Sequence, residues 1–92
     1  MIVRIMGAGQ YKLAASLLDD INKLDNAAVS ALTKENTKLF YQKYDILIDF
    51  VRKQGRKVPV KDLIESDFIL PPEDITLEEA RMFFKGDGVI PS

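Results

Sequence analysis

The sequence predicts an α+β fold in one small domain, and three observations carry that expectation. A β-branched opening, Ile2-Val3-Arg4-Ile5-Met6, runs into the glycines of Gly7-Ala8-Gly9. Two long stretches then repeat apolar residues at about 100° per residue, the period of a helix. The last third is cut into short pieces by Pro59, Pro71, Pro72 and Pro91. Together these describe an N-terminal strand or hairpin, a long αα-hairpin, and a proline-rich C-terminal segment with a short helix and a terminal strand. A chain of 92 residues suits a single domain over residues 1–92, since domains typically take about 100–200 residues.

Ile2 to Met6 is apolar on both alternating faces, the pattern of a strand covered on each side. Gly7-Ala8-Gly9 supplies turn residues, and Gln10-Tyr11-Lys12-Leu13 returns as a short second strand. From Leu13 a helical period takes over, with Leu13, Leu17, Ile21, Leu24, Ala28, Ala31 and Leu32 on one side. The phase survives Asp25-Asn26, both poor helix formers, so one long helix is expected, with any kink placed there. Asn36-Thr37 breaks the pattern. Asn tolerates the left-handed conformation at a helix end, and Thr37 can cap the next helix by accepting from its free N–H groups. The second helix is expected from about Lys38 to Gln54, with Gly55 as the glycine just past its end. Two helices so closely joined form an αα-hairpin.

In the last third, Val60-Lys61-Asp62-Leu63-Ile64 reads as one helical turn, and Phe68-Ile69-Leu70 as an extended piece stopped by the prolines. Thr76-Leu77-Glu78-Glu79 is a capping box, with Thr76 at the N-cap and Glu79 reaching back to it. The helix it opens should run to about Lys85, with Gly86 ending it and Gly88-Val89-Ile90 adding a final short strand.

Histidine and cysteine are both absent. Without cysteine there is no disulfide, thiolate nucleophile or Cys-based metal site, a composition that fits a reducing compartment. Without histidine the chain lacks the side chain that titrates nearest neutral pH and the commonest metal ligand. Triads built on Ser-His or Cys-His are excluded. Paired carboxylates occur at Asp19-Asp20, Glu73-Asp74 and Glu78-Glu79, but neighbours on a helix face different directions, and Glu78-Glu79 sit where the helix dipole favours anions. General acid–base work needs two carboxyls in environments that push their pKa values apart. A hard-cation loop needs oxygen ligands at fixed spacing around a glycine. Neither pattern is present, so the expectation is a protein that is not an enzyme and carries no metal or cofactor. No stretch approaches the roughly 18 apolar residues of a membrane span, and Met1 to Met6 is too short for the apolar region of a signal peptide. A cytoplasmic location is expected, with at most peripheral association with membrane.

The net charge is −1, but it is unevenly placed. Arg52, Lys53, Arg56, Lys57 and Lys61 fall within ten residues that hold no acid, and the residues after them are predominantly acidic. Arg52 and Lys53 complement the dipole at the end of the second helix. Arg56, Lys57 and Lys61 lie beyond Gly55 and are better placed to meet an acidic partner or anionic lipid head groups. Nucleic acid is not expected, because no aromatic residues interleave with these charges and the rest of the chain is neutral to acidic.

The second helix carries more apolar surface than one core face requires. Phe40, Tyr44, Leu47, Ile48 and Val51 make one apolar arc, and Leu39, Ile46 and Phe50 make a second, with Lys43 between them and Gln42, Asp45, Asp49, Arg52 and Lys53 opposite. An ordinary surface helix has one stripe slightly over 100° wide. Either the helix is sandwiched between its hairpin partner and the sheet or C-terminal segment, or the second stripe docks a partner helix or a second copy of this chain. Gly7-Ala8-Gly9 raises a different option, a phosphate-cradling turn. The dinucleotide fingerprint needs a third glycine and a crossover unit in a parallel sheet, neither of which is present, and a tight turn with positive φ accounts for both glycines.

The chain opens on Met1-Ile2-Val3-Arg4-Ile5-Met6-Gly7-Ala8-Gly9-Gln10-Tyr11. Near its close come Asp62-Leu63, Ser66-Asp67, Leu70-Pro71-Pro72, Asp74, Thr76-Leu77-Glu78-Glu79-Ala80-Arg81 and Gly88-Val89-Ile90-Pro91. In these residues the two ends resemble the PspA-associated protein family (PspAA); the helical middle matches only in pattern. The resemblance implies a small cytoplasmic accessory or regulator of PspA, the coiled-coil effector of the phage-shock (envelope-stress) response, and brings no catalytic or cofactor residues. Two functions from different classes are therefore expected to compete. One is a protein that binds a PspA-like coiled coil through Leu39, Ile46 and Phe50 with Arg56, Lys57 and Lys61. The other is a small-ligand or nucleotide-binding regulatory domain that uses the glycine turn and the basic cluster.

Overall fold

Ile2–Ile5 form strand β1 and Gly9–Lys12 form β2. The turn between them requires glycine, since Gly7 and Gly9 adopt φ of 84° and 110°, values L side chains rarely reach. The computed structural model describes residues 1–62 and 64–84. After one turn of 3-10 helix at Ala15–Leu17 come helix α1, Leu18–Thr33, and helix α2, Thr37–Gln54. Two short strands follow, β3 at Arg56–Lys57 and β4 at Phe68–Leu70, and then helix α3 at Leu77–Phe83. The strands form one mixed sheet in the order β3-β2-β1-β4, antiparallel except for the parallel pair β1–β4. This is the α+β class expected.

The helices leave one face of the sheet open. Val3, Ile5, Tyr11, Leu13 and Leu70 join Ile21, Ala28 and Ala31 of α1 and Phe40, Tyr44, Leu47, Ile48 and Val51 of α2 in one core. Arg4, between the buried Val3 and Ile5, is exposed. The expectation of a first strand covered on both sides is thus corrected: β1 shows the period-2 burial of a sheet with a single covered face. The described residues between β3 and β4 cross the open face, where the Gln10 side-chain amide donates to the Ile64 carbonyl at 2.6 Å and to Ser66 Oγ at 2.7 Å. The crossing ends where the Ile2 N–H donates to Asp67 Oδ2 and the Asp67 N–H donates to the Ile2 carbonyl.

Several boundaries differ from the sequence reading for identifiable reasons. Leu13 belongs to the end of the hairpin, because its N–H donates to the Met1 carbonyl, and α1 starts only at Leu18. Helix α1 runs through Asp25-Asn26 without a break and buries Asp25 fully. At the hairpin bend the roles shift by one residue. Glu35 takes the left-handed conformation, with φ of 57°, and Asn36 is the N-cap, its Oδ1 accepting from the Leu39 N–H, so Thr37 lies inside α2. Gly55 is extended rather than left-handed. No helical turn forms among the described residues of 60–64, where an Asp62 N–H to Pro59 carbonyl bond closes a tight turn. The Thr76–Glu79 capping box is complete. The expected glycine stop at Gly86 and strand at 88–90 lie outside the described residues.

Candidate functional site

The chemistry-bearing positions are organised around α2. Its core arc is fully buried, and Phe40 and Tyr44 stack with ring centroids 5.6 Å apart while Phe84 meets both edge-on. Residues 71–75 clamp a neighbouring side of the helix. Tyr44 donates its hydroxyl to the Pro71 carbonyl, Tyr41 donates to the Ile75 carbonyl at 2.6 Å, and Arg52 pairs with Glu73. Burial pushes the Tyr44 phenol pKa well above its ordinary value, and the nearby Asp25 and Glu73 push it the same way.

This arrangement splits the second stripe. Leu39 and Phe50 are partly buried against the core, whereas Ile46 is 48% exposed. The sandwich reading therefore describes the flanks of the stripe, and only Ile46 stands out toward solvent. The basic cluster is spread along an edge. Arg56 and Lys57 form edge strand β3, where cations discourage unwanted pairing with another sheet, and Lys61 is exposed in the turn beyond it. Register brings Lys12 beside Arg56. Arg4, Lys57, Val60 and the Gly7-Ala8-Gly9 turn line one cavity of about 320 Å³. The glycine turn and part of the basic cluster thus do meet, together with Arg4, which the sequence reading had not singled out.

A second cavity of about 600 Å³ was not anticipated. Its lining is mostly apolar, from Met6, Pro71, Pro72, Ile75, Met82 and Phe83, with Asp74 and Glu79 beside them. Met82 is 78% exposed. The signal was available: Leu77, Ala80 and Phe84 already complete the inward face of α3, so Met82 and Phe83 are apolar residues in excess of it. Three of the carboxylates hold the fold together. Glu79 closes the capping box, Glu73 pairs with Arg52, and Asp67 holds the Ile2 N–H. Among the described residues no group of three acids is placed to hold a metal ion, and no helix is long and apolar enough to cross a membrane.

Fold and surface together define a small α+β module with an open sheet face and an apolar groove beside α3. The chain belongs to the PspA-associated protein family, whose model matches residues 1–92, its full length. No curated protein and no solved structure matches it. The family's description, a PspA-associated protein, links the chain to PspA at that level.

Proposed function

We propose that this protein is a non-enzymatic, cytoplasmic accessory of the phage-shock (envelope-stress) response that binds a PspA-like coiled coil. Full-length membership of a family described as PspA-associated carries the reading. Two features support it: the absence of His and Cys, and acidic side chains engaged in caps and ion pairs. The contact lies along α2, centred on Ile46 with the outer edges of Leu39 and Phe50, which fall at the i, i+7 and i+11 spacing of a helix laid against a coiled coil. Arg56, Lys57 and Lys61 supply electrostatic attraction to an acidic stretch of the partner.

Co-purification and calorimetric titration with the PspA-like protein encoded in the same genome test this reading. Ile46→Lys should leave folding within about 0.5 kcal/mol, as expected of an exposed position, and weaken binding at least tenfold. Phe50→Ser should lower the melting temperature as well, because Phe50 packs on the core. Replacing Arg56, Lys57 and Lys61 together by Gln should slow association and flatten its salt dependence, since exposed charges are screened over about 8 Å at physiological ionic strength. Binding lost with Met82→Lys but kept with Ile46→Lys would move the contact to the groove beside α3.

A further inference from the structure

The sheet face turned away from the helices carries a row of exposed cations. Residues directly opposite one another in a sheet share a face. Arg56, Lys12 and Ile2 therefore form one row across the open face, and Gln10, Arg4 and Ile69 the next. Arg4, Lys12 and Arg56 are exposed, and among the described residues none of them has an ion-pair partner. The described residues of the crossing segment, pinned over this face by Gln10, add Lys61 and leave apolar side chains exposed beside β4. Val60 is 86% exposed, and Ile64 and Ile69 are each 44% exposed. Val60 also shares a cavity lining with Arg4 and Lys57. The acids of the segment are Asp62, Glu65 and Asp67, and Asp67 is held by the Ile2 N–H.

We propose that this face docks peripherally on an anionic lipid surface, with head-group phosphates meeting Arg4, Lys12, Arg56 and Lys61 while Val60 and Ile64 enter the interfacial layer. Charge complementarity selects the occupant, and the shape of the apolar surface selects lipid over an acidic protein. Protein interfaces are built on a contiguous apolar core with a polar rim. Here single apolar side chains project from a turn between cations, the arrangement that the boundary of head groups and acyl chains accommodates. The proposal shares Arg56 and Lys61 with the coiled-coil reading, whose contact centres on Ile46 of α2, and is told apart from it by Arg4, Lys12 and Val60, which that reading does not use.

Co-sedimentation of the whole protein with lipid vesicles is the test, with no partner protein present. Binding to mixed phosphatidylglycerol–phosphatidylcholine vesicles should exceed binding to phosphatidylcholine alone and should fall as salt is raised. One cation near an anionic surface is worth roughly fivefold in partition, so Arg4→Gln, Lys12→Gln and Arg56→Gln combined should lose on the order of a hundredfold. Val60→Ser should lose several-fold at an unchanged melting temperature. Lys34→Gln with Lys38→Gln, at the far end of the helical hairpin, should bind like the parent. Equal binding to both vesicle types, or an unaffected triple variant, would overturn the proposal. So would saturable binding of inorganic phosphate or ATP that the triple variant abolishes, without vesicle binding, since that defines a soluble-anion pocket.

Discussion

Tyr44→Ala should cost about 3–5 kcal/mol, the range for emptying a large aromatic site in a core. A domain of this length holds on the order of 5–15 kcal/mol in total, so the variant is expected to be partly unfolded at physiological temperature. The size of the effect follows from what meets at this position. Tyr44 is fully buried, stacks on Phe40, meets the edge of Phe84, and donates its hydroxyl to the Pro71 carbonyl. Removing the ring opens a cavity where α2 and the C-terminal segment come together. Tyr44→Phe isolates the hydroxyl: it keeps the packing and leaves a buried carbonyl without its donor, at about 1–3 kcal/mol. Urea denaturation followed by circular dichroism ranks the three proteins. If Tyr44→Phe falls within about 0.5 kcal/mol of the parent, water has replaced the donor and Pro71 is not held by this bond.

The same residue should impose an alkaline limit on stability. Burial, with Asp25 and Glu73 adding to it, raises the folded-state pKa of Tyr44, so between the unfolded and folded values only the native state keeps the proton. Its contribution is fully present below the ordinary phenol pKa of about 10 and is lost as pH rises above it. The difference in unfolding free energy between parent and Tyr44→Phe should therefore narrow progressively above that pH.

What the sequence made legible was local, and what it hid was decided at long range. The Thr76–Glu79 capping box needs only four consecutive residues and appears as read. The bend between the helices was also placed correctly, but the left-handed conformation falls on Glu35 rather than Asn36. That choice depends on the approach angle of α2, which neighbouring residues do not fix. Leu13 satisfies both a strand pattern and a helical one, and the Met1 carbonyl decides between them. Asp25 lies at the angular position of the inner face of α1, yet its polarity hid the burial that the structure shows. Strand β3 was invisible because Arg56-Lys57 is two polar residues whose strand character comes entirely from β2.

The candidate site follows the same division. That α2 has surplus apolar surface is written in its own periodicity. Which part stays exposed depends on the tertiary packing around α2, in which Leu39 and Phe50 lie against the core while Ile46 stays outside. The basic cluster was legible as a run of charge, whereas its meeting with Lys12 and Arg4 required the register of three strands.

Gly55 carries the other large expected effect, for a reason its position in the sequence misstates. A glycine after a helix is usually there for positive φ, but here the backbone is extended, with φ of −92° and ψ of 160°, a conformation open to any residue. The constraint is space. A Cβ on residue 55 would lie 2.6 Å from the Val51 carbonyl oxygen, 3.0 Å from Tyr11 Cβ and 3.2 Å from Leu13 Cδ1. The first of these atoms is backbone within the last turn of α2 and cannot swing aside, and the other two belong to the hairpin on which that turn rests. Gly55→Ala should therefore cost about 1–3 kcal/mol, as overpacking does, and lower the melting temperature by roughly 4–8 °C per kcal/mol in a domain of this size. Gly55→Asn separates the two causes. At a left-handed cap Asn is tolerated better than Ala, whereas a position closed by contact should accept the larger Asn no better than Ala. The damage should also spread into β3, since Arg56 and Lys57 follow directly and the Val58 N–H donates to the Gln10 carbonyl. Hydrogen exchange at Val58 should lose protection in Gly55→Ala by more than the global destabilisation requires. Full protection there, together with a melting temperature near the parent's, would mean that the end of α2 can back away from the hairpin and that the close approach is not what selects glycine.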